Sequence, residues 1–528
     1  MARARHALLG LRGGKGEEVS RAADPGTGAP VPDIVFRGGK AASALPILFF
    51  IAWAIFQSGV LGISDTAGLI VGMLVGLTLG MLLVRGSWTD YANAIFAGMA
   101  QKVAVTAIVA WLWAGMFAAT LQVGGFVNGL GWLAEVSGMG PAVFPAVTFV
   151  LAALLATGIG TGYGTVIAFV ALFFPAGVVL GADPLLMFGA ILSGAVFGDN
   201  LAPVSDTTIV SAVTQDSDVG GVVASRFKYA IIAATLAFIA YLVAGSLSTG
   251  AAVDADAAAL FSAQSNPRGL LHLVPMGIVI FSAIRGRHII EAISWGLIAA
   301  IVVNVAFGLA AGSDMLVFRV AADSWAGANF AHWPLVEAVP AAAAGVGGSL
   351  YAGAIGYAEL VVLILLVLAG AHIMIRGGGF HALQEWLLAR VARSVRSAEM
   401  TMVIATAGIN AAITINTAAQ IAIAPYIATI GKRFNLNGYR RANILDANTS
   451  ALGYIFPWAG GVLVGYTQMV GLTQTYDWFT PAMVVEPIKA WPWVFHGWLL
   501  VAVFLFSAWT GFGREYTTDR VSKGGAAL

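Results

Sequence analysis

A polar stretch lies inside a long apolar region of the sequence. Residues 198–211 read Gly-Asp-Asn-Leu-Ala-Pro-Val-Ser-Asp-Thr-Thr-Ile-Val-Ser and directly follow the apolar run 185–197. Ionisable side chains are costly at membrane depth, so such a stretch indicates an ion or substrate site. Its candidate ligands are Asp199, Asn200, Ser205, Asp206, Thr207 and Thr208.

The proline in this stretch predicts a broken helix. Pro203 has no backbone N–H and disrupts the hydrogen bond to the Asp199 carbonyl four residues earlier. A break would let the Asp199 and Asp206 carboxylates approach one cation, and hard cations such as Na⁺ prefer oxygen ligands. We therefore predict Asp199 and Asp206 as the sodium (metal) ligands. The alternative is that Ser205 or Asp206 only caps a helix that starts at Thr207.

Three further polar segments interrupt apolar regions. Residues 157–165 carry four glycines, each of which weakens a helix by roughly 1 kcal/mol relative to alanine. Residues 410–420 and 446–458 combine amides and hydroxyls with one carboxylate, Asp446. Packing between helices is the alternative for residues 410–420, and interfacial pairing with Arg440 or Arg441 is the alternative for Asp446. The candidate ligands are Thr161, Tyr163, Thr165, Asn416, Thr417, Asp446, Asn448 and Thr449.

Two charged residues within or beside apolar runs have two interpretations each. Glu359 is either a proton carrier or a structural partner of a basic group. Lys102 opens a predicted span, and it either extends to the membrane interface or enters the site.

The composition is that of a membrane protein. Hydrophobic residues make up 59% of the 528 residues and charged residues 10%, whereas a soluble domain carries about 25% charged residues. The net charge of +1 gives no indication of nucleic-acid binding. Cysteine is absent, which excludes disulfides and thiol nucleophiles. The sequence also lacks Gly-x-Ser-x-Gly and His-Glu-x-x-His motifs, so it predicts no enzyme.

Apolar runs of about 20 residues predict helices that span the membrane. Lys and Arg mark cytoplasmic segments, and they cluster in the first 40 residues, at Arg226 and Lys228, and after residue 513. Both termini are then cytoplasmic, and the protein is multi-pass in the cytoplasmic (inner) membrane. The predicted spans are residues 44–63, 67–84, 103–121, 229–247, 270–283, 289–311, 350–375 and 491–511.

Two regions do not fit simple crossings. Residues 142–180 predict a hairpin entering from outside, and residues 401–430 predict one entering from the cytoplasm. Broken helices follow at residues 184–215 and 444–470. A hairpin and a broken helix, repeated in opposite orientation, are typical of inverted-repeat secondary transporters with a site at the midplane. Ordinary pairs of helices are the alternative.

The predicted fold class is an all-α integral membrane protein. We expect an inverted-repeat secondary transporter with about ten spanning helices, two re-entrant hairpins and two discontinuous spans. The predicted organisation is a disordered cytoplasmic tail (1–40), a first repeat (41–248), connecting spans with an external loop (249–349), a second repeat (350–511) and a cytoplasmic tail (512–528).

The motifs resemble those of the NhaC family of sodium/proton antiporters. Residues 191–208, which end Gly-Asp-Asn-Leu-Ala-Pro-Val-Ser-Asp-Thr-Thr, are similar to the family signature. Residues 160–165 resemble the family's Gly-Thr-Ser-Trp-Gly-Thr tip, with Gly162 and Tyr163 in place of Ser and Trp. Residues 446–458 resemble its second-half motif. The second tip has Thr417-Ala-Ala-Gln420 where the family has an acidic residue.

The resemblance implies exchange of sodium for protons on a fold with inverted repeats and re-entrant hairpins. Asp199 and Asp206 would bind either ion, and neutral oxygens would come from Asn200, Ser205, Thr207, Thr161 and Thr165. The family also includes exchangers of organic acids and carriers of amino acids. A sodium- or proton-coupled transporter of a small organic acid or amino acid is therefore the alternative, and a passive channel is a third.

The expected partners follow from this interpretation. They are the lipid bilayer, sodium and protons, and in the alternative a small carboxylate or amino acid. No cofactor is expected beyond the transported Na⁺ and H⁺, and no nucleic acid. The sequence leaves a homo-oligomer open.

Overall fold

A computed structural model of the chain describes residues 34–517, with gaps at residues 64, 204, 249, 251–258, 260–262, 286 and 391–392. The described part is mostly helical, as the sequence predicts. The predicted tails fall largely on residues 1–33 and 518–528, which lie outside the described residues.

The helices follow one another with short connections through most of the described chain. They are α1 (Leu45–Ala54), α2 (Thr66–Leu82), α3 (Trp88–Met99), α4 (Lys102–Val123), α5 (Phe126–Ser137), α6 (Phe144–Ile159), α7 (Gly162–Val179), α8 (Pro184–Leu201), α9 (Asp206–Thr214), α10 (Val219–Leu247), α11 (Leu273–Ile284), α12 (Ile289–Ala306), α13 (Gly312–Met315), α14 (Trp325–Phe330), α15 (Ser349–Ile355), α16 (Ala358–Arg376), α17 (Gly379–Arg390), α18 (Val395–Ile413), α19 (Asn416–Arg433), α20 (Gly438–Leu452), α21 (Gly460–Thr475), α22 (Pro487–Ala490) and α23 (Phe495–Thr510).

Several of these helical segments are long and apolar enough to cross a membrane. Within the described residues there are seven, and four shorter apolar helices accompany them. The seven are Lys40–Val60, Lys102–Val123, Gly162–Val179, Pro184–Leu201, Val219–Leu247, Ser349–Arg376 and Pro481–Thr510. The chain is therefore a multi-pass membrane protein.

The segments around the polar motifs are interrupted. A residue in the left-handed region separates α6 from α7 at Gly160 (φ 71°) and α18 from α19 at Thr414 (φ 64°). Extended backbone at Ala202 and Ser205 separates α8 from α9. Residues 453–459 separate α20 from α21. Polar backbone groups are thus freed beside each polar motif.

The described part also contains short β-strands, which the all-α prediction did not include. β1 (Val35–Phe36) pairs antiparallel with β2 (Val84–Arg85). In the predicted external loop, β3 (Val317–Ala321) lies between a parallel β4 (Val336–Val339) and an antiparallel β5 (Gly345–Gly347). These strands are too short to give a clear alternating pattern, which is why the sequence did not reveal them.

Among the seven segments long and apolar enough to cross a membrane, α7 and α8 are the most deeply buried. In an apolar stretch of 18 residues in each helix, 94% of the residues are buried in α7 and 83% in α8, but only 28% are buried in α10. Close approach depends on glycine, because a Cβ at Gly198 would lie 2.1 Å from Ala156 Cβ on α6. The polar break after α8 is therefore held inside the helix bundle.

Candidate functional site

Asp199 lies in the last turn of α8 and is 4% exposed. Its Oδ1 accepts a hydrogen bond from Ser205 Oγ at 3.0 Å. Its Oδ2 accepts from Tyr454 OH at 3.1 Å and from Asn416 Nδ2 at 3.2 Å. One carboxylate therefore contacts the first break, the start of α19 and the segment after α20.

The carbonyl that Pro203 frees has a new partner. Thr207 Oγ1 donates to the Asp199 carbonyl oxygen at 3.1 Å, and Ser205 and Thr207 hydroxyls are 2.9 Å apart. Ser205 makes no capping hydrogen bond to the backbone of α9. Its hydroxyl is instead directed to Asp199, so the capping alternative does not describe Ser205.

Asp206 is the first residue of α9 and is partly buried. Its Oδ1 accepts a hydrogen bond from Thr207 N at 3.0 Å. Its Oδ2 accepts from Thr417 Oγ1, in the first turn of α19. The N-terminal ends of α9 and α19 therefore meet at this carboxylate, where both helix dipoles favour negative charge.

The two carboxylates have only neutral donors. Among the described residues, neither Asp199 nor Asp206 forms an ion pair with a lysine, arginine or histidine. The described part also contains no group of three or more His, Asp or Glu side chains that could hold a metal ion. Carboxylate, hydroxyl and amide oxygens are ligands that hard cations prefer.

Asp446 has a different environment, because a guanidinium neutralises it. Arg226 and Asp446 form an ion pair in which both side chains are 0% exposed. Gln420 Nε2 and Ser450 Oγ donate to Asp446 Oδ1 at 2.9 Å and 2.7 Å. Ser211 Oγ donates to Oδ2 at 3.3 Å.

This pair corrects two expectations. Arg226 does not lie in a loop, because α10 begins at Val219 and buries the side chain. Pairing of Asp446 with Arg440 or Arg441 is not observed either. Arg440 pairs with Glu399 at 2.7 Å, and Arg441 is 3.7 Å from Asp216.

An aromatic wall stands beside Asp199. Tyr163 at the start of α7 makes an edge contact with Trp111, with ring centroids 5.7 Å apart, and is 5.6 Å from Tyr454. A Cβ at Gly162 would lie 2.0 Å from Tyr454 OH. The glycine-rich tip therefore lets the tyrosine that donates to Asp199 approach closely.

Some of the other candidate ligands have hydrogen-bond partners, and others have buried polar atoms without a partner among the described residues. Thr165 Oγ1 donates to the Thr161 carbonyl at 3.0 Å, and Thr449 Oγ1 accepts from Gln420 Nε2 at 2.9 Å. Five of the candidate side chains have buried polar atoms that lack a hydrogen-bond partner among the described residues: Tyr163 (OH), Asn200 (Oδ1 and Nδ2), Thr208 (Oγ1), Asn416 (Oδ1) and Asn448 (Oδ1). These atoms could contact a bound ion or substrate.

Two charged candidates lie apart from this cluster. Glu359 is in the first turn of α16, after a turn at residues 356–357, and its side chain is exposed. Lys102 is exposed at the first position of α4. Neither contacts Asp199, Asp206 or Asp446 in the described structure.

Sequence reasoning missed Arg226 and left Gln420 and Tyr454 out of the ligand set. Gln420 is four residues after Asn416, so helical periodicity places it on the same face of α19. The small and apolar residues 219–225 before Arg226 could have extended the predicted helix through it. No local signal identifies Tyr454 as a donor to Asp199.

The sequence matches a known family over almost the whole described range. A sequence model of the Na⁺/H⁺ antiporter family matches residues 34–246 and 251–498. The chain belongs to this family. The predicted resemblance is confirmed, and the family is one of transporters rather than enzymes.

Three curated proteins with similar sequences are named as antiporters. The malate-2H⁺/Na⁺-lactate antiporter of Bacillus subtilis (strain 168) is 29% identical over 190 residues, which are 35% of this chain and 38% of that protein. The Na⁺/H⁺ antiporter NhaC of Alkalihalophilus pseudofirmus is 28% identical over 149 residues, 28% of this chain and 31% of that protein. The arginine/ornithine antiporter ArcD of Halobacterium salinarum is 24% identical over 245 residues, 44% and 49% of the two chains.

These matches are partial. The chain spans less than half the length of each of these curated relatives. A solved structure of Neisseria gonorrhoeae MtrF aligns with a TM-score of 0.38 and 10% identity, over 79% of this chain and 83% of that chain.

Proposed function

We propose that this member of the Na⁺/H⁺ antiporter family exchanges sodium for protons by competition at Asp199 and Asp206. The observation that carries the proposal is the pair of carboxylates at the α8–α9 break, whose described donors are all neutral. A carboxylate pair without a fixed cation attracts a mobile one. Sodium or protons can satisfy it, and binding of one reduces binding of the other.

The ligand set proposed for sodium combines charge with neutral oxygens. Asp199 and Asp206 supply the charge. Ser205 and Thr207 lie within hydrogen-bond distance of Asp199, so their oxygens can replace part of the ion's hydration shell. Asn416 Oδ1 is buried without a hydrogen-bond partner among the described residues, which makes it a further ligand from the second half.

The proposed transport cycle uses the contact between the two halves. Asn416, Thr417 and Tyr454 from the second half donate to the carboxylates of the first. Movement of one half against the other changes these donors and opens the site to one side of the membrane at a time. Sodium that arrives from one side displaces protons, which leave on that side, and the reverse exchange follows on the other.

We propose the finer architecture together with this cycle. It consists of about ten spans in two inverted repeats, with α6–α7 and α18–α19 as re-entrant hairpins. Supporting features are the interruptions between α8 and α9 and between α20 and α21. Both termini are proposed to face the cytoplasm, with the protein in the cytoplasmic (inner) membrane.

Transport by the purified full-length chain in liposomes tests the proposal. A pH-sensitive dye inside the vesicles should report uphill proton movement when a sodium gradient is applied, and an imposed pH gradient should conversely drive sodium uphill. Asp199→Asn and Asp206→Asn should each abolish it. Asp90→Asn is the matched control, because it removes one carboxylate from the exposed first turn of α3.

Exchange by Asp206→Asn at the wild-type rate would overturn the assignment of this residue. Flux that never runs against a gradient would identify a channel instead.

A second function, transport of a small metabolite, has one supporting observation. Relatives of similar identity are antiporters named for malate and lactate or for arginine and ornithine. The Trp111–Tyr163–Tyr454 wall offers faces for an organic ligand, and a cationic group suits the neighbouring carboxylates. Uptake of a panel of radiolabelled organic acids and amino acids distinguishes the two functions.

A further inference from the structure

A fully buried guanidinium connects the two broken helices. Arg226 on α10 is 0% exposed and pairs with Asp446 on α20. Its Nη1 also donates to the Asn200 carbonyl at 2.5 Å, and its Nε donates to Asn443 Oδ1 at 3.1 Å. Asn200 lies in the last turn of α8, where carbonyl oxygens have no partner within the helix. The positive charge thus contacts a carboxylate of one half and a freed carbonyl of the other.

Asp446 has no room for another cation. A carboxylate offers about four lone-pair positions. Oδ1 accepts from Gln420 and Ser450, and Oδ2 accepts from Arg226 and Ser211. Each position has a donor beside it, although Ser211 shares its one hydrogen with the Thr208 carbonyl oxygen at 2.9 Å. The Arg226 donor carries a full positive charge.

Asp199 and Asp206, at the first break, differ from Asp446 in the number of hydrogen bonds that they accept and in the charge of their donors. Asp206 accepts two hydrogen bonds, one on each oxygen, from Thr207 N and Thr417. Asp199 accepts one bond on Oδ1 and two on Oδ2, all from uncharged groups. Three carboxylates therefore share one fixed cation, and that cation is committed to Asp446.

On the basis of the proposed antiport, we propose that the Arg226 guanidinium occupies the place of a second coupling cation at Asp446, so that each chain binds a single mobile sodium ion. Both places offer a carboxylate and a freed carbonyl oxygen, although Asp446 lies inside α20 and the carbonyl oxygen beside its cation is that of Asn200 on α8. In the first half these elements face neutral donors and can take up and release an ion. In the second half the cation is covalently tethered and stays through the cycle.

Removal of the guanidinium should create a second mobile site. Without Arg226, Asp446 would be a buried carboxylate with neutral donors only, which is the environment of Asp199. A buried charge that loses its partner is strongly unfavourable, so a cation from solution would replace the missing charge.

Equilibrium binding of radiolabelled sodium to the purified full-length chain in detergent tests this inference. We expect a single ion per chain for the wild type and a second ion for Arg226→Gln. Arg226→Lys keeps a tethered cation and should bind a single ion. Arg441→Gln is the matched control, because Arg441 is 5% exposed but contacts Gln215 and Asp216 rather than Asp446.

The outcomes separate this inference from the antiport itself. Two sodium ions bound by the wild type, with exchange intact, would overturn the inference and leave the antiport standing. A single ion bound by folded Arg226→Gln would also overturn it. No sodium binding by the wild type would overturn the proposed function, and this inference with it. The wild-type stoichiometry keeps the test decisive even if Arg226→Gln does not fold.

Discussion

Asn416 donates a hydrogen bond of 3.2 Å from Nδ2 to Asp199 Oδ2, across 217 positions of the sequence. Asn416 is the first residue of α19, and Asp199 lies in the last turn of α8. The bond connects the second-half hairpin to the first-half broken helix. In the proposed transport cycle, relative movement of the two halves changes the donors around Asp199.

Asn416→Ala should weaken sodium binding because it removes Oδ1, the proposed neutral ligand from the second half. If the contact of this oxygen with the ion is similar in strength to a hydrogen bond to a charged group, about 1.5–3 kcal/mol, the apparent sodium affinity should fall by roughly 10- to 100-fold. Sodium-dependent stabilisation against heat in detergent measures this affinity. Asn329→Ala removes an exposed amide on α14 and should leave the affinity unchanged. Equal affinities for both variants would contradict the proposed role of Asn416.

Acidification should weaken sodium binding if both ions compete for the same carboxylates. At pH values where the carboxylates carry a proton in the absence of sodium, the apparent sodium affinity should fall by about tenfold per unit decrease in pH for each proton that the ion displaces. The same thermal assay at several pH values gives the slope, which counts the protons. Affinity that does not change with pH would mean that sodium and protons bind at separate sites.

An added methyl group at Gly162 should disrupt the aromatic wall. Its Cβ would lie 2.0 Å from Tyr454 OH, and overpacking of this kind costs about 1–3 kcal/mol. Gly162→Ala should therefore displace Tyr454 from Asp199 and reduce transport. Gly277→Ala is the control, because its Cβ would meet no atom within 4 Å. Transport by Gly162→Ala at the rate of the control would show that the Tyr454–Asp199 bond is dispensable.

A second buried ion cluster should govern stability rather than transport. Glu399 is 0% exposed and accepts from Arg440 at 2.7 Å and Arg514 at 2.8 Å. Glu399→Gln leaves two guanidinium groups without a charged partner and should destabilise the protein by about 3–5 kcal/mol. Glu385→Gln, at a carboxylate 46% exposed, should change stability by about 0–1 kcal/mol. Thermal unfolding in detergent compares the two, and equal melting temperatures would contradict the prediction.

Membrane orientation can be tested without background because the chain has no cysteine. Asp216→Cys lies in the exposed connection between α9 and α10, and Asn329→Cys lies beside the β3–β5 sheet. An impermeant maleimide should label Asn329→Cys on intact cells and Asp216→Cys only after the membrane is opened. The opposite pattern would invert the proposed orientation.

Local chemistry accounts for what the sequence alone could predict. The break after α8 follows from Pro203, because the missing N–H acts on a carbonyl four residues away. Contacts between Asp199, Ser205 and Thr207 span eight positions and depend on that break. The length of an apolar run likewise predicts a spanning helix, because the thickness of the bilayer sets the number of residues that a helix needs to cross it.

Tertiary packing decided which distant side chains meet. Tyr454 reaches Asp199 across 255 positions, and Arg226 reaches Asp446 across 220. An arginine that precedes an apolar run is compatible with a cytoplasmic loop, where positively charged residues are common. It is equally compatible with a buried ion pair, and the sequence alone does not distinguish the two. Only the arrangement of α10 against α20 removes Arg226 from water and obliges it to pair. The sequence thus determined which groups are candidates for binding an ion, and the packing decided which of these carboxylates have no fixed cation among the described residues.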